Sequence, residues 1–226
     1  MEEWSIELEG EEKDLRFLSE ILRSPDLSVS EEKGAFILRS SSFDPDPNSN
    51  DVHKLSTSLL EVLNGAAMLY NRTFEGATVK AVLRIREDGK TERHVRLTAL
   101  PGQYEITALP RRDDLIECWF SIAQQNEPVA RALTLYGSLE HNWRNLYMVL
   151  EVMEDDAGGE EGLSEKGWVS AKEIRRFKHT ANAFKAIDRE ARHATLAFQP
   201  PKRPMSLREA ERLIGTLLMR WLESKE

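Results

Sequence analysis

Apolar and polar residues alternate over Trp4-Ser-Ile-Glu-Leu8, which is the two-residue period of a half-buried strand. Leu15, Leu18, Ile21 and Leu22 follow at helical spacing and stop before Ser24-Pro25, where a helix is expected to end. Gly34-Ala-Phe-Ile-Leu-Arg39 reads as a second strand, and the stretch from Ser40 to Asn50, with Pro45, Pro47 and Asn48, as an irregular polar loop. Leu55, Leu59, Val62, Leu63, Ala66 and Tyr70 then form one stripe on a helix that should cover a sheet face. Val79, Ala81, Leu83 and Ile85 alternate up to Asp88-Gly89, and Val95 and Leu97 alternate after it, a hairpin pattern with a turn suited to positive φ.

Between Leu100 and Pro110 the pattern changes from period two to the helical period, so the seam between two domains is expected there. Beyond it come helical stripes at Leu115–Ala123, at Val129–Tyr136 after Pro128, and at Trp143–Met153. An acidic, glycine-bearing loop is expected at Glu154–Glu161. Ser170-x-x-Glu173 and Ser206-x-x-Glu209 have capping-box form, each opening a helix, and the last helix shows a broad apolar face from Leu207 to Leu222. The pattern predicts an α+β chain: residues 1–110 hold a small antiparallel or mixed sheet with covering helices, and residues 111–226 a helical bundle.

Composition narrows the class. The 226 residues are 40% apolar, enough to bury a core, yet no apolar run approaches the roughly 20 residues of a membrane span. The acidic Met1-Glu-Glu-Trp4 start lacks the order of a signal peptide, so the expectation is a cytoplasmic protein without a membrane partner. One cysteine, Cys118, lies in an apolar helical pattern and reads as core filler. Net charge is −8, but unevenly spread. Residues 1–110 hold 13 Lys and Arg against 20 Asp and Glu, whereas residues 166–205 hold ten cations against three acids, a net of +7. An acidic whole disfavours broad nucleic-acid binding, while a basic island can still hold a phosphate, an RNA end or an acidic partner.

The island carries the candidate chemistry. Arg175, Arg176 and His179 can share a helical face, with Asn182 three residues on, an arrangement suited to an anion or a phosphodiester. Arg189, Arg192 and His193 follow, and a turn near Ala186 to Asp188 could fold them back. His179 and His193 would then serve as acid and base, with an arginine stabilising developing charge. Asn145, beside the Trp143 stripe, is expected to point inward near this region. Glu61 and Glu151, inside apolar patterns, would each need a cationic partner. No spacing typical of a metal site occurs, and glycine-rich phosphate loops, Gly-x-Ser-x-Gly elbows and kinase signatures are missing, so no metal or cofactor is expected.

The string Trp143-Arg-Asn-Leu-Tyr147, Gly167-Trp168, Phe177-Lys-His-Thr-Ala-Asn182, Ala191-Arg-His193 and Pro204-Met205 resembles a group of uncharacterised bacterial proteins. The helical half is more distantly similar to HEPN domains, helical bundles common in prokaryotic toxin and anti-phage defence systems. That likeness implies a C-terminal HEPN-like bundle and, in catalytic members, a metal-independent ribonuclease. Those members put more residues between their arginine and histidine than the three separating Arg189 from His193, or Arg175 from His179, so the likeness implies a non-catalytic bundle here. The expectation is therefore a non-enzymatic module. It binds a phosphate-bearing ligand, nucleotide, RNA or protein partner through Arg176, His179, Asn182, Arg189, Arg192, His193 and Asn145. The alternatives are a ribonuclease using His179 and His193, and a homo-oligomeric scaffold built on the last helix.

Overall fold

A computed structural model describes residues 3–43, 48–86, 91–95, 115–138, 141–188, 191 and 199–225. The chain divides into two compact units, Met1–Phe120 and Ser121–Glu226. The expected seam at Leu100 to Pro110 and the Asp88-Gly89 turn lie outside the described residues.

The first unit is built on a five-stranded antiparallel sheet. Its strands are β1 (Glu3–Gly10), β2 (Leu27–Glu32), β3 (Ala35–Ser40), β4 (Ala77–Ile85) and β5 (Thr91–Val95), in the order β2-β3-β1-β4-β5. Helix α1 (Glu12–Ile21) packs on β1 and β2, and α2 (Ser49–Tyr70) lies along β4. The core face joins Trp4, Ile6 and Leu8 of β1 to Val29, Leu38 and Val82 and to the Leu59, Leu63, Ala66 and Ala67 stripe of α2, all buried. Asn48 caps α2 by accepting from the Asn50 and Asp51 amides at 3.0 and 3.1 Å.

The sequence pattern does not single out β2, although Leu27-Ser-Val29-Ser alternates. The strand is short and lies at a sheet edge, and it is fixed by pairing: Glu32 opposes Ala35, and Lys33 and Gly34 between them have φ of 51° and 81°. Two successive positive φ values make the tight turn whose twist matches paired strands. Lys33 takes a left-handed conformation that costs a non-glycine residue some strain, while Gly34 takes it freely.

The second unit is organised around α5 (Trp143–Asp156), which packs against α4 (Glu127–Tyr136), α6 (Glu160–Glu165), α7 (Ala171–Asn182) and α9 (Leu207–Glu223). The remaining helices are α3 (Leu115–Gln125), which crosses the division, and the single turn α8 (Phe184–Ile187). Apolar side chains, most of them large, fill this core, with Ala132, Leu133, Trp143, Leu150, Phe177, Ile214 and Trp221 at 3% exposure or less.

The acidic stretch from Glu154 to Glu161 is not a loop. It is the last turn of α5, a two-glycine corner, and the first turn of α6, because Gly158 and Gly159 adopt φ of 84° and 102°. Glu61, expected among apolar residues, is on the exposed face of α2 and Glu151 is half-buried. Among the described residues no helix is long and apolar enough to cross a membrane.

Candidate functional site

Helix α7 carries the centre of the basic island, and local chemistry fixes where it starts. Gly167 turns the chain at φ 69°. Ser170 then closes a capping box, its Oγ accepting from the Glu173 amide at 3.2 Å while the Glu173 carboxylate accepts from the Ser170 amide at 3.3 Å. One face of the helix is apolar: Ile174, Phe177, Thr180 and Ala181 are buried. The Phe177 ring stacks on Trp143 and Tyr147 of α5 at centroid distances of 5.7 and 5.9 Å. Hence the aromatic residues of the Trp143–Tyr147 and Phe177–Asn182 motifs meet each other, which is a packing role.

With that face inward, Lys172, Arg175 and His179 point outward. All three are exposed, and their spacing of three and four residues sets them in one row along α7, about 10 Å long. The cations flanking this row are engaged elsewhere. Arg176 donates to Glu209 Oε1 at 3.1 Å and to the carbonyls of Arg203 and Pro204 at 2.9 and 3.1 Å, so it straps the segment before α9 onto α7. Two hydrogen bonds from Ser206 and then the Arg176 guanidinium hold the Glu209 carboxyl below its ordinary range.

Lys178 sits between α5 and α6, its Nζ 2.7 Å from Glu154 and 2.6 Å from Glu160. Burial disfavours its charge, but the two carboxylates outweigh burial and hold the ammonium above its ordinary value. Burial also pushes the Glu154 carboxyl up. Of the two directions, that of Lys178 governs the contact, because one ammonium serves both acids. The acidic stretch and the basic island therefore partly neutralise one another, and the +7 of residues 166–205 overstates what solvent meets.

The remaining residues singled out in the sequence are spread through the unit. Thr180 is wholly buried, donating to the Arg176 carbonyl at 2.8 Å and accepting from the Met205 amide at 3.0 Å. Asn182, half-buried at the end of α7, has a buried Oδ1 without a hydrogen bond among the described residues. Asn145 donates to Ser138 Oγ at 2.6 Å and so braces the connection between α4 and α5. Asp188, in the expected turn, has φ of 51°. Arg189, Arg192 and His193 lie outside the described residues. Lys166, Lys185, Lys202 and Arg203 are exposed.

Two clusters carried no signal in the pattern. In β1, Glu7 was expected on a solvent-facing position, yet it is 8% exposed. Leu8 pairs with Val79 and Glu7 with Ala81, so Lys80 is the extra residue of a β-bulge; its Nζ lies 2.8 Å from Glu7 Oε1. Arg93 of β5 contacts Glu7 Oε2 at 2.7 Å. Burial acts to raise the Glu7 carboxyl, and the two cations overcome it and hold the group below its ordinary value. Both carboxylate oxygens are taken, so the cluster is a structural clasp.

The second is His141, whose Nε2 donates to the Tyr136 carbonyl at 2.7 Å and whose Nδ1 is 3.7 Å from Glu211. With Nε2 engaged by a backbone carbonyl and Nδ1 facing Glu211, this histidine is oriented by the fold. Among the described residues no group of three His, Cys, Asp or Glu is placed to hold a metal ion. No protein-family model, no curated protein and no solved structure matches this chain, so the site is read from its own geometry.

Proposed function

We propose that the second unit is a non-enzymatic binding module that takes a phosphate-bearing ligand on the outer face of α7. The observation that carries this reading is the sorting of cations: Arg176 and Lys178 are tied down by carboxylates, while Lys172, Arg175 and His179 form an exposed row. Two charged donors and an imidazole along about 10 Å of a packed helix suit successive phosphate oxygens, and the helix, anchored by Phe177, moves little on binding. In this reading the unit is a HEPN-like bundle that works as a non-catalytic binder in a bacterial defence context.

The test is anisotropy of a labelled single-stranded RNA from low to physiological salt. Two cationic phosphate contacts, from Lys172 and Arg175, on a single strand predict a log–log salt slope of about −1.4, falling to near zero in the double variant Lys172→Glu, Arg175→Glu. Absence of binding at low salt, or an unchanged slope in the double variant, refutes the proposal.

A further inference from the structure

From the surroundings of Trp168 we infer that the ligand is a single-stranded nucleic acid, with one base stacked on the Trp168 indole at the amino-terminal approach to the α7 row. This deepens the reading above and rests on it.

Four of the five tryptophans are core: Trp4, Trp119, Trp143 and Trp221 are 4, 0, 3 and 1% exposed. Trp168 alone is half-exposed. Its indole lines a groove of about 440 Å³ together with Gly167, Arg220, Glu223 and Ser224, in the size range of small-ligand sites. The far wall is the last turn of α9, and it is held firmly. Asp156 accepts from Trp221 Nε1 at 2.7 Å and from Lys225 Nζ at 2.7 Å, Ser224 Oγ donates to the Trp221 carbonyl at 2.6 Å, and Arg220 pairs with Glu223 at 3.0 Å. On the near side, a Cβ added at Gly167 would meet nothing within 4 Å, so the groove is open there.

The lining chemistry suits a nucleobase. An indole face stacks on any base, the exposed Arg220 guanidinium is planar and can stack or donate to a ring carbonyl, and the Glu223 carboxylate accepts from an exocyclic amine. Inorganic phosphate has no use for an indole and is repelled by Glu223. Lys172 lies four residues after Trp168, within about 14 Å of chain, so a base in the groove leaves its strand at the start of the row. Lys166, exposed and next in sequence to Gly167, adds a positive charge near the groove.

The experiment titrates the full chain with a short single-stranded RNA and with an abasic ribose-phosphate oligomer of the same length, reading anisotropy and tryptophan fluorescence. Because the other tryptophans are buried, quenching reports Trp168. The expected result is tryptophan quenching by RNA and about tenfold tighter binding of RNA than of the abasic oligomer. In Trp168→Leu that preference is lost while the salt slope stays, and Trp168→Phe recovers most of it. Equal binding of the two oligomers, or a preference that survives Trp168→Leu, overturns the inference and leaves the phosphate row standing. A mononucleotide that binds as tightly as the strand overturns the single-strand assignment. Failure of both oligomers to bind overturns this inference together with the reading it rests on.

Discussion

Beside its apolar stripe, α2 is tied to the sheet by one buried polar side chain, and replacing it gives a quantitative test of the fold. Asn64, 4% exposed, donates from Nδ2 to the Ala77 carbonyl at 2.9 Å and accepts from the Ala77 amide at 3.0 Å, so its amide stands in for a neighbouring strand where β4 begins. Ala77 is itself 1% exposed, and water cannot replace either bond. Asn64→Ala removes two hydrogen bonds and leaves one buried donor and one buried acceptor, a loss of about 3 kcal/mol. Asn64→Asp should cost more, because a carboxylate oxygen then faces the Ala77 carbonyl oxygen.

In urea, with a slope of about 2 kcal/mol per molar, the loss moves the midpoint of the first unit down by about 1.5 M. Amide exchange provides the site-specific reading, since about 3 kcal/mol corresponds to roughly a hundredfold faster exchange at Ala77. A midpoint lowered by less than about 0.5 M, with Ala77 still protected, refutes the assignment of Asn64 as the anchor.

Two further substitutions address the buried polar clusters. The Glu7 carboxyl is held below its ordinary 4.5, so its contribution is complete above pH 4.5 and is lost as pH falls through the lower folded value. Glu7→Gln should cost about 1 kcal/mol at neutral pH, the figure being small because Lys80 and Arg93 are about half exposed, and should flatten the acid loss of stability expected of the parent. Parallel acid melting of the two proteins contradicts this. Thr180→Val keeps the shape but strands the Met205 amide, at a cost of about 2 kcal/mol, and should speed proteolysis between Gln199 and Pro204; Thr180→Ser should restore resistance, and equal cleavage of all three proteins refutes the strap.

Much of the framework is set by neighbours in sequence. Capping at Ser170 and Ser206 acts over three residues, and the helical stripes of α2, α5 and α9 and the alternation of β1 and β4 follow from which side chains avoid water. Helical spacing made Arg175 and His179 legible as neighbours on one face, but it grouped them with Arg176, which Glu209 holds, and not with Lys172, which completes the exposed row. What the pattern could not hold was the fate of charge. Formal charge counts Lys178 and Arg175 alike, yet one is enclosed by Glu154 and Glu160 and the other faces solvent.

Glu7 looked like a surface residue because alternation identifies the polar face of a strand but not its place in the sheet. Only when β3 and β4 flank β1, and a bulge turns Lys80 toward it, does the carboxylate lose water and gain two cations. Trp168 lies next to a helix cap, and only the folded chain brings Arg220 and Glu223 of α9 beside it. Periodicity records each residue's preference for water one segment at a time. Pairing of ions, saturation of hydrogen bonds and the walls of a groove depend on atoms that arrive from distant segments, and only the folded chain brings those atoms together.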